Sequence, residues 1–315
     1  MKKTIPNKAN SKKSPNGGAR GLPPAPKETK LKVTEPVELM TFLLAKMGGM
    51  SRNSVKSLLA HRQIMVNNKV TTQFNLPLQP NDVISVNSGR GNTELSHPKL
   101  KIIFEDAYLI VVEKKEGLLT VSTGISDETT AFSILKTHVK KSSPANRIYV
   151  VHRLDRETSG VIMFAKTKEV QLILQENWHR IITRRIYVAL VEGKVEKEKD
   201  TIVTWLTENE KSLKIHSSDT DNGGQQATTH YRCVKSNDNY SLLEIELETG
   251  RKNQIRVHMQ GIGHPVVGDK KYGADVSPIG RLGLHARLLA FYHPISTEVV
   301  SFETQVPRNF LNIFH

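Results

Sequence analysis

Asp155 sits in the nine-residue run HRLDRETSG, His152 to Gly160, with Arg153 and Arg156 close on either side. One apolar run precedes it (Ile148, Tyr149, Val150, Val151) and another follows (Val161, Ile162, Met163, Phe164). That pattern predicts a strand, a short polar loop and a second strand, with Asp155 presented at a sheet edge. Neighbouring guanidinium groups favour the charged form of a partly desolvated carboxylate, the form in which it acts as a nucleophile. A surface turn with a local ion pair has the same composition, and the residues alone leave both readings open.

Two further stretches carry suitable side chains. In RRIYVALVEG the period of two places Arg185 and Tyr187 on one strand face and Ile186 and Val188 on the other, so the tyrosine can face a cleft or fill a core. In TGRKNQIRVHM, Thr249 to Met259, a glycine turn leads into a helix or strand bearing Arg251, Gln254, Arg256 and His258.

HRLDRETSG resembles the signature loop of the RluA-type pseudouridine synthases. TGRKNQIRVHM and GHPVVGDKKYG, Gly263 to Gly273, resemble that family's later motifs, in the same order. The resemblance implies isomerisation of uridine in RNA to pseudouridine by Asp155 as nucleophile, through attack on the anomeric carbon or on ring carbon six. It implies that Tyr187 stacks on the base and that Arg256 pairs with Asp155. His152, Arg153, Arg156, Thr158, Arg251, Asn253 and Gln254 are then expected to contact substrate, with Arg156 on phosphate or in the gap left by the extruded uridine. The chain departs from the family at Lys115, where a proline follows the lysine, and at Asn253, where histidine is usual. Such chemistry needs a nucleophile, a closed pocket and a proton shuttle, so neither metal nor cofactor is expected. Two other classes fit parts of the pattern. A non-catalytic RNA-binding or ribosome-assembly protein does not require Asp155, Tyr187 and Arg256 together, and a hydrolase would lack a serine or cysteine elbow.

The chain around these motifs has 315 residues, with 45 Lys and Arg against 31 Asp and Glu, a net charge of +14. That balance points to a polyanion. Nucleic acid is favoured over a membrane, because no apolar stretch approaches the ~20 residues of a membrane span. A single cysteine, Cys233, excludes an internal disulfide and fits a reducing, cytoplasmic setting. No GxGxxG or phosphate-binding lysine loop appears, and the histidines lack metal-ligand spacing, so no nucleotide cofactor is expected. A monomer is expected, and the resemblance implies action on ribosomal RNA in preference to transfer RNA.

Read in order, residues 1–32 combine Lys2, Lys3, Lys8, Lys12, Lys13, Arg20, Lys27 and Lys30 with prolines and glycines, which predicts a disordered basic tail. Residues 33–88 predict two short helices meeting at Gly48 and Gly49, the first with Val37, Met40, Leu44 and Met47 at helical spacing and the second capped by Ser51, followed by short strands. This unit resembles the small RNA-binding module named after ribosomal small-subunit protein four, with Arg52, Lys56, Arg62 and Lys69 as its basic face. An ordinary helical hairpin with a solvated charged face fits as well. Residues 89–98 read as a linker, and 99–315 as the catalytic domain. The fold class expected is α+β: a mixed, largely antiparallel central sheet flanked by helices and loops, preceded by the small αα plus β module. Val170, Ile173, Leu174, Trp178 and Ile181 read as one helical core stripe, with Trp178 packing inward.

Overall fold

A computed structural model describes residues 28–48, 51–60, 63–67, 69–87, 95–122, 128–275 and 277–314. The N-terminal part runs β1 (Glu28–Lys32), β2 (Val37–Glu38), α1 (Leu39–Lys46), α2 (Arg52–Ala60), β3 (Ile64–Val66), β4 (Lys69–Val70), β5 (Pro77–Leu78) and β6 (Val83–Asn87). The rest runs β7 (Leu100–Glu105), β8 (Leu109–Lys114), α3 (Ala131–Ser142), β9 (Tyr149–Val150), β10 (Ser159–Ala165), α4 (Lys168–Glu176), α5 (Trp178–Ile181) and β11 (Ile182–Glu192). It continues with β12 (Lys199–Glu208), β13 (Ile215–Ser218), β14 (Gln225–Ser236), β15 (Tyr240–Leu247), α6 (Gln254–Gly261), β16 (Leu284–Tyr292), β17 (Val299–Glu303) and α7 (Arg308–Leu311).

β10 is apolar after its first residue and buried along its whole length, as expected of a strand covered on both faces. Alternation sorts its side chains. Ile162 and Phe164 pack with Ile110, Val112, Leu135 and Val139 beneath α3, while Val161 and Met163 pack with Leu109, Val111, Val170 and Leu174 beneath α4. Each of these buried chains contributes about 1.5–3 kcal/mol through apolar area removed from water.

β10 lies inside an 11-stranded sheet of order β13-β12-β14-β15-β11-β16-β10-β8-β7, with β17 on β16 and β9 on β10. Among the described strands of this sheet, the β10–β16 pairing alone is parallel. The remaining ladders are antiparallel, so the sheet is mixed and largely antiparallel, as the pattern implied. Beyond β11, α6 packs Ile255 and Met259 on Tyr231, Leu243 and Ile245 and covers that half of the sheet.

The N-terminal residues build a separate core. Leu39, Phe42 and Leu43 of α1 and Val55 and Leu59 of α2 close over Ile64, Ile84 and Val86 of a four-stranded sheet, β1-β6-β3-β4. Ser51 accepts the Ser54 N–H at 3.1 Å and starts α2 as expected.

Three expectations need correction. The tail assigned to 1–32 reaches too far: Glu28–Lys32 is a strand paired residue by residue with β6, because Leu31 has the apolar partner Ile84 and supplies an edge to that sheet. Residues 1–27 and most of the linker at 89–98 lie outside the described residues. The helical stripe from Val170 to Ile181 is two helices that break at Asn177. Asn177 Nδ2 donates to the Ile173 carbonyl, and the break turns Trp178 off the α4 stripe. Finally, α1 begins only at Leu39, because Val37 pairs with Leu78 in a short ladder.

Candidate active site

The loop between β9 and β10 is clamped from below. Thr120 Oγ1 donates to the Leu154 carbonyl at 2.7 Å and accepts the Leu154 N–H at 3.2 Å, while Gly117 N–H donates to the Arg156 carbonyl at 2.9 Å. The Lys114 ammonium is fully buried beneath the loop and donates to the carbonyls of Leu118 (2.8 Å), Arg156 (3.0 Å) and Lys115 (3.1 Å). Burial pulls its pKa down to about 8 against the opposing charges of Glu157 and Asp155, so it stays mostly protonated at neutral pH. The Lys115 N–H donates to the Lys99 carbonyl at 2.9 Å, a bond that proline could not make. Within the loop, Thr158 N–H closes on the Asp155 carbonyl at 3.2 Å and Asp155 projects outward, 35 % exposed.

At the loop's far end Gly160 has φ +119°, and a Cβ there would come within 2.1 Å of the Ala286 carbonyl oxygen. The close approach of β10 to β16 therefore requires glycine. It also brings β11, on the opposite edge of β16, alongside the loop. A bulge between Ile186 and Tyr187 interrupts the β11–β16 register. Bulges re-aim side chains, and this one lies at the residue whose ring enters the cleft.

The third wall comes from α6. Asn253 stands before its first turn at φ +55°, a conformation asparagine tolerates better than most residues. On the helix, Gln254 and His258 lie four residues apart against the sheet, which leaves Arg256 facing the other way. Arg256 Nη1 stands 3.6 Å from Asp155 Oδ2. Its tight partner is Asp269, with Nε to Oδ2 at 2.6 Å and Nη2 to Oδ1 at 2.7 Å. Burial lowers the pKa of Arg256, but the hydrogen bonds and charge of Asp269 outweigh it and the net shift is upward.

These walls enclose a cleft of about 640 Å³, lined by Arg153, Asp155, Thr158, Arg185, Tyr187, Arg251, Lys252, Asn253 and Arg256 over an apolar floor of Val161, Leu284, Ala286, Leu288 and Leu289. That volume falls within the range of small-ligand pockets, about 300–1,000 Å³. Among the described residues that line it, Asp155 is the one acid. The cleft thus offers a single carboxylate in a cationic rim above an apolar base, with one phenol beside it. Burial raises the pKa of that phenol, Tyr187; Arg185 opposes the shift and Asp155 adds to it, so the hydroxyl keeps its proton near neutral pH. A second hollow of about 390 Å³ shares Trp178, His179, Arg185 and Leu247 with the cleft, and acids, Glu246 and Glu248, stand on its rim.

Of the residues singled out in the sequence, Asp155, Tyr187, Arg256, His152, Arg153, Thr158, Arg251, Asn253 and Gln254 converge on this cleft. Three of the substrate-contact expectations change. Arg156 is not on the lining and is held outside by a two-pronged pair with Glu128, at 2.6 and 2.9 Å. Gln254 is buried with both ends engaged: it accepts from Thr249 Oγ1 and the Arg251 N–H and donates to the Thr228 carbonyl and Thr229 Oγ1, so it shapes the wall without a free polar atom. His152 accepts the Met163 N–H on Nε2 at 3.1 Å. Burial and the Arg185 charge push its pKa down to about 3, so it is a neutral strut with its proton on Nδ1.

Trp178, read as packing, is half-buried and joins the cleft wall beside His152, ring centroids 5.1 Å apart. Arg52 and Lys56 are exposed on α2, whereas Arg62 and the side chain of Lys69 lie outside the described residues. Sequence reasoning missed Asp269 and the clamp made by Lys114. The Gly268-Asp269 pair inside GHPVVGDKKYG was the available signal for Asp269. Nothing in the sequence tells a buried lysine from a surface one.

Known proteins resemble this chain in sequence and in fold. The family model described as RNA pseudouridylate synthase matches residues 108–261, which covers β8, the Asp155 loop, Tyr187 and α6. An uncharacterised RNA pseudouridine synthase of Bacillus subtilis, YhcT, is 31% identical over 268 residues, 84% of this chain and 88% of its own. Ribosomal large subunit pseudouridine synthase D of Nitrosomonas europaea is 36% identical over 237 residues, 71% of this chain and 68% of its own. The solved structure of human RNA pseudouridylate synthase domain containing 4 superposes with a TM-score of 0.56 at 24% identity, over 67% of this chain and 90% of that one, and shares the fold. With a relative above 30% identity spanned over most of its length, and a family model laid across the very loop, strand and helix that enclose the lone carboxylate, the chain belongs to the RNA pseudouridylate synthase family, whose members are isomerases.

Proposed function

We propose that this synthase modifies uridines in ribosomal RNA of the large subunit, with Asp155 as its nucleophile. The observation that carries the reading is the placement of Asp155 as the sole acid of a cationic cleft, 3.6 Å from Arg256 and beside Tyr187. In the reaction the bond between uracil nitrogen one and the ribose breaks, the base turns, and carbon five bonds to the same sugar carbon. The proton lost from carbon five is balanced by one gained at nitrogen one, so nothing is oxidised or hydrolysed. Asp155 holds the uridine in a transient covalent adduct, and the apolar floor retains the detached base while it turns. Tyr187 stacks on the uracil, and its hydroxyl is the group at hand to carry the proton. Arg153, Arg251 and Lys252 receive the phosphates on either side of the extruded nucleotide.

The N-terminal unit acts as an RNA-binding module of the S-four-like kind. Its two helices over a small sheet, with Arg52 and Lys56 exposed on α2, support this reading. The large-subunit assignment leans on relatives named as ribosomal large subunit synthases in Nitrosomonas europaea and Zymomonas mobilis, at 36% and 34% identity. Mapping pseudouridines in total RNA from cells with and without this chain tests it. Loss of one or a few positions confined to large-subunit RNA is expected, and losses confined to transfer RNA would overturn the assignment.

A further inference from the structure

Arg256 meets Asp155 through one nitrogen, at a separation longer than a hydrogen bond. A free guanidinium beside a lone carboxylate closes into a two-pronged pair, and here three groups prevent that. Asp269, 1 % exposed, binds Nε and Nη2 at 2.6 and 2.7 Å. Asn253 Oδ1 accepts from Nη1 at 3.3 Å, and the ring of buried Tyr272 lies 4.9 Å from the guanidinium carbon. Tyr272 is itself anchored, its hydroxyl accepting from Asn253 Nδ2 at 2.9 Å and from the Ile215 N–H at 3.1 Å. The guanidinium fork thus points at the buried acid, and Asp155 sees only its side.

We propose that Asp269 is a positioning residue that withholds Arg256 from a closed pair with Asp155, so that the nucleophile is aimed by the arginine's charge yet keeps its oxygens free for the uridine. The proposal rests on Asp155 being the nucleophile. It accounts for an arrangement in which the best hydrogen bonds of the site's arginine go to a group that does not line the cleft.

Asp269→Asn keeps the shape of the side chain, including an oxygen for the Tyr272 N–H, while removing the charge that holds the fork. With a short RNA substrate, kcat should fall about 50-fold or more while KM stays within about threefold. The companion variant Arg256→Gln separates restraint from loose packing. If Asp269 acts only by holding Arg256, Asp269→Asn should cost nothing further in single-turnover rate once Arg256 is gone. Additive losses, or a kcat for Asp269→Asn within about threefold of the parent, would overturn the proposal. Should Asp269→Asn fail to fold by thermal melting, Asn253→Gly is measured instead. It removes the second restraint and suits the positive φ, and a several-fold fall in kcat is expected; unchanged kcat would count against the proposal. Asp155→Asn run alongside separates the two ideas, since turnover by that variant sinks the nucleophile reading itself, whereas an inactive Asp155→Asn with an additive cycle sinks only the role of Asp269.

Discussion

In the proposed reaction Asp155 attacks carbon, which requires a carboxylate that is aimed and free of tighter partners, and the residues around it divide those tasks. Arg256 supplies charge at 3.6 Å, the turn bond from Thr158 N–H fixes the backbone, and no other acid lines the cleft among the described residues. Tyr187 has a ring that, in the proposed function, stacks on the uracil, and a hydroxyl that keeps its proton. Tyr187→Phe should therefore leave RNA affinity within a few-fold and lower kcat by ten-fold or more, about the weight of a positioned proton donor or acceptor; unchanged kcat would exclude the hydroxyl from the chemistry. At this scale the sequence was informative about placement, since Asp155, Tyr187 and Arg256, distant along the chain, line one cleft. It misled for Arg156 and Gln254, whose residue types suit RNA but whose polar atoms the fold engages elsewhere. A side chain's partner across 28 residues, such as Glu128 for Arg156, leaves no trace in local pattern.

The elements that place these groups meet at one tight point, the parallel contact of β10 and β16 beside Gly160. Gly160→Ala would drive a methyl group into the Ala286 backbone at a positive φ, and should cost about 3 kcal/mol or more. Thermal or urea unfolding checks this, and a variant with parental stability would show that the strands can part without harm. The strand-loop-strand unit was legible because its apolar runs are long and flanked by charge. The α4/α5 break was not, since an apolar period continues through Asn177, where the backbone leaves helical dihedrals and the side-chain amide caps the Ile173 carbonyl. The strand at Glu28–Lys32 was hidden for a related reason. Its residues are mostly polar, and pairing with β6 alone makes them a strand.

For the whole molecule, the RNA-binding role proposed for the separate N-terminal core would make RNA affinity a shared property of two parts, in keeping with the surplus of base over acid. Replacing exposed Arg52 and Lys56 with alanine should flatten the dependence of log affinity on log salt by about 1–2 while leaving kcat at saturating RNA unchanged; an unaltered slope would remove that face from the interface. Stability should also depend on pH through buried histidines. His285 lies between Ser159 and Thr304 and His258 between Thr204 and Thr229, and burial lowers their pKa values to about 3 and about 4. The unfolded chain binds these protons near pH 6.5 and the folded chain does not, so stability is full above that value and is lost as pH falls toward 4. Each should cost about 2 kcal/mol by pH 5, readable as a falling melting temperature between pH 7 and 5; a flat profile would show these histidines free to charge. Charge balance and the order of three motifs made the class of the molecule legible, whereas its buried pairs became visible only with the chain folded. The most direct measurement is pseudouridine formation by Asp155→Asn on an RNA the parent modifies. No product, with RNA binding within a few-fold of the parent, is the result expected, and turnover by the asparagine variant would contradict the account.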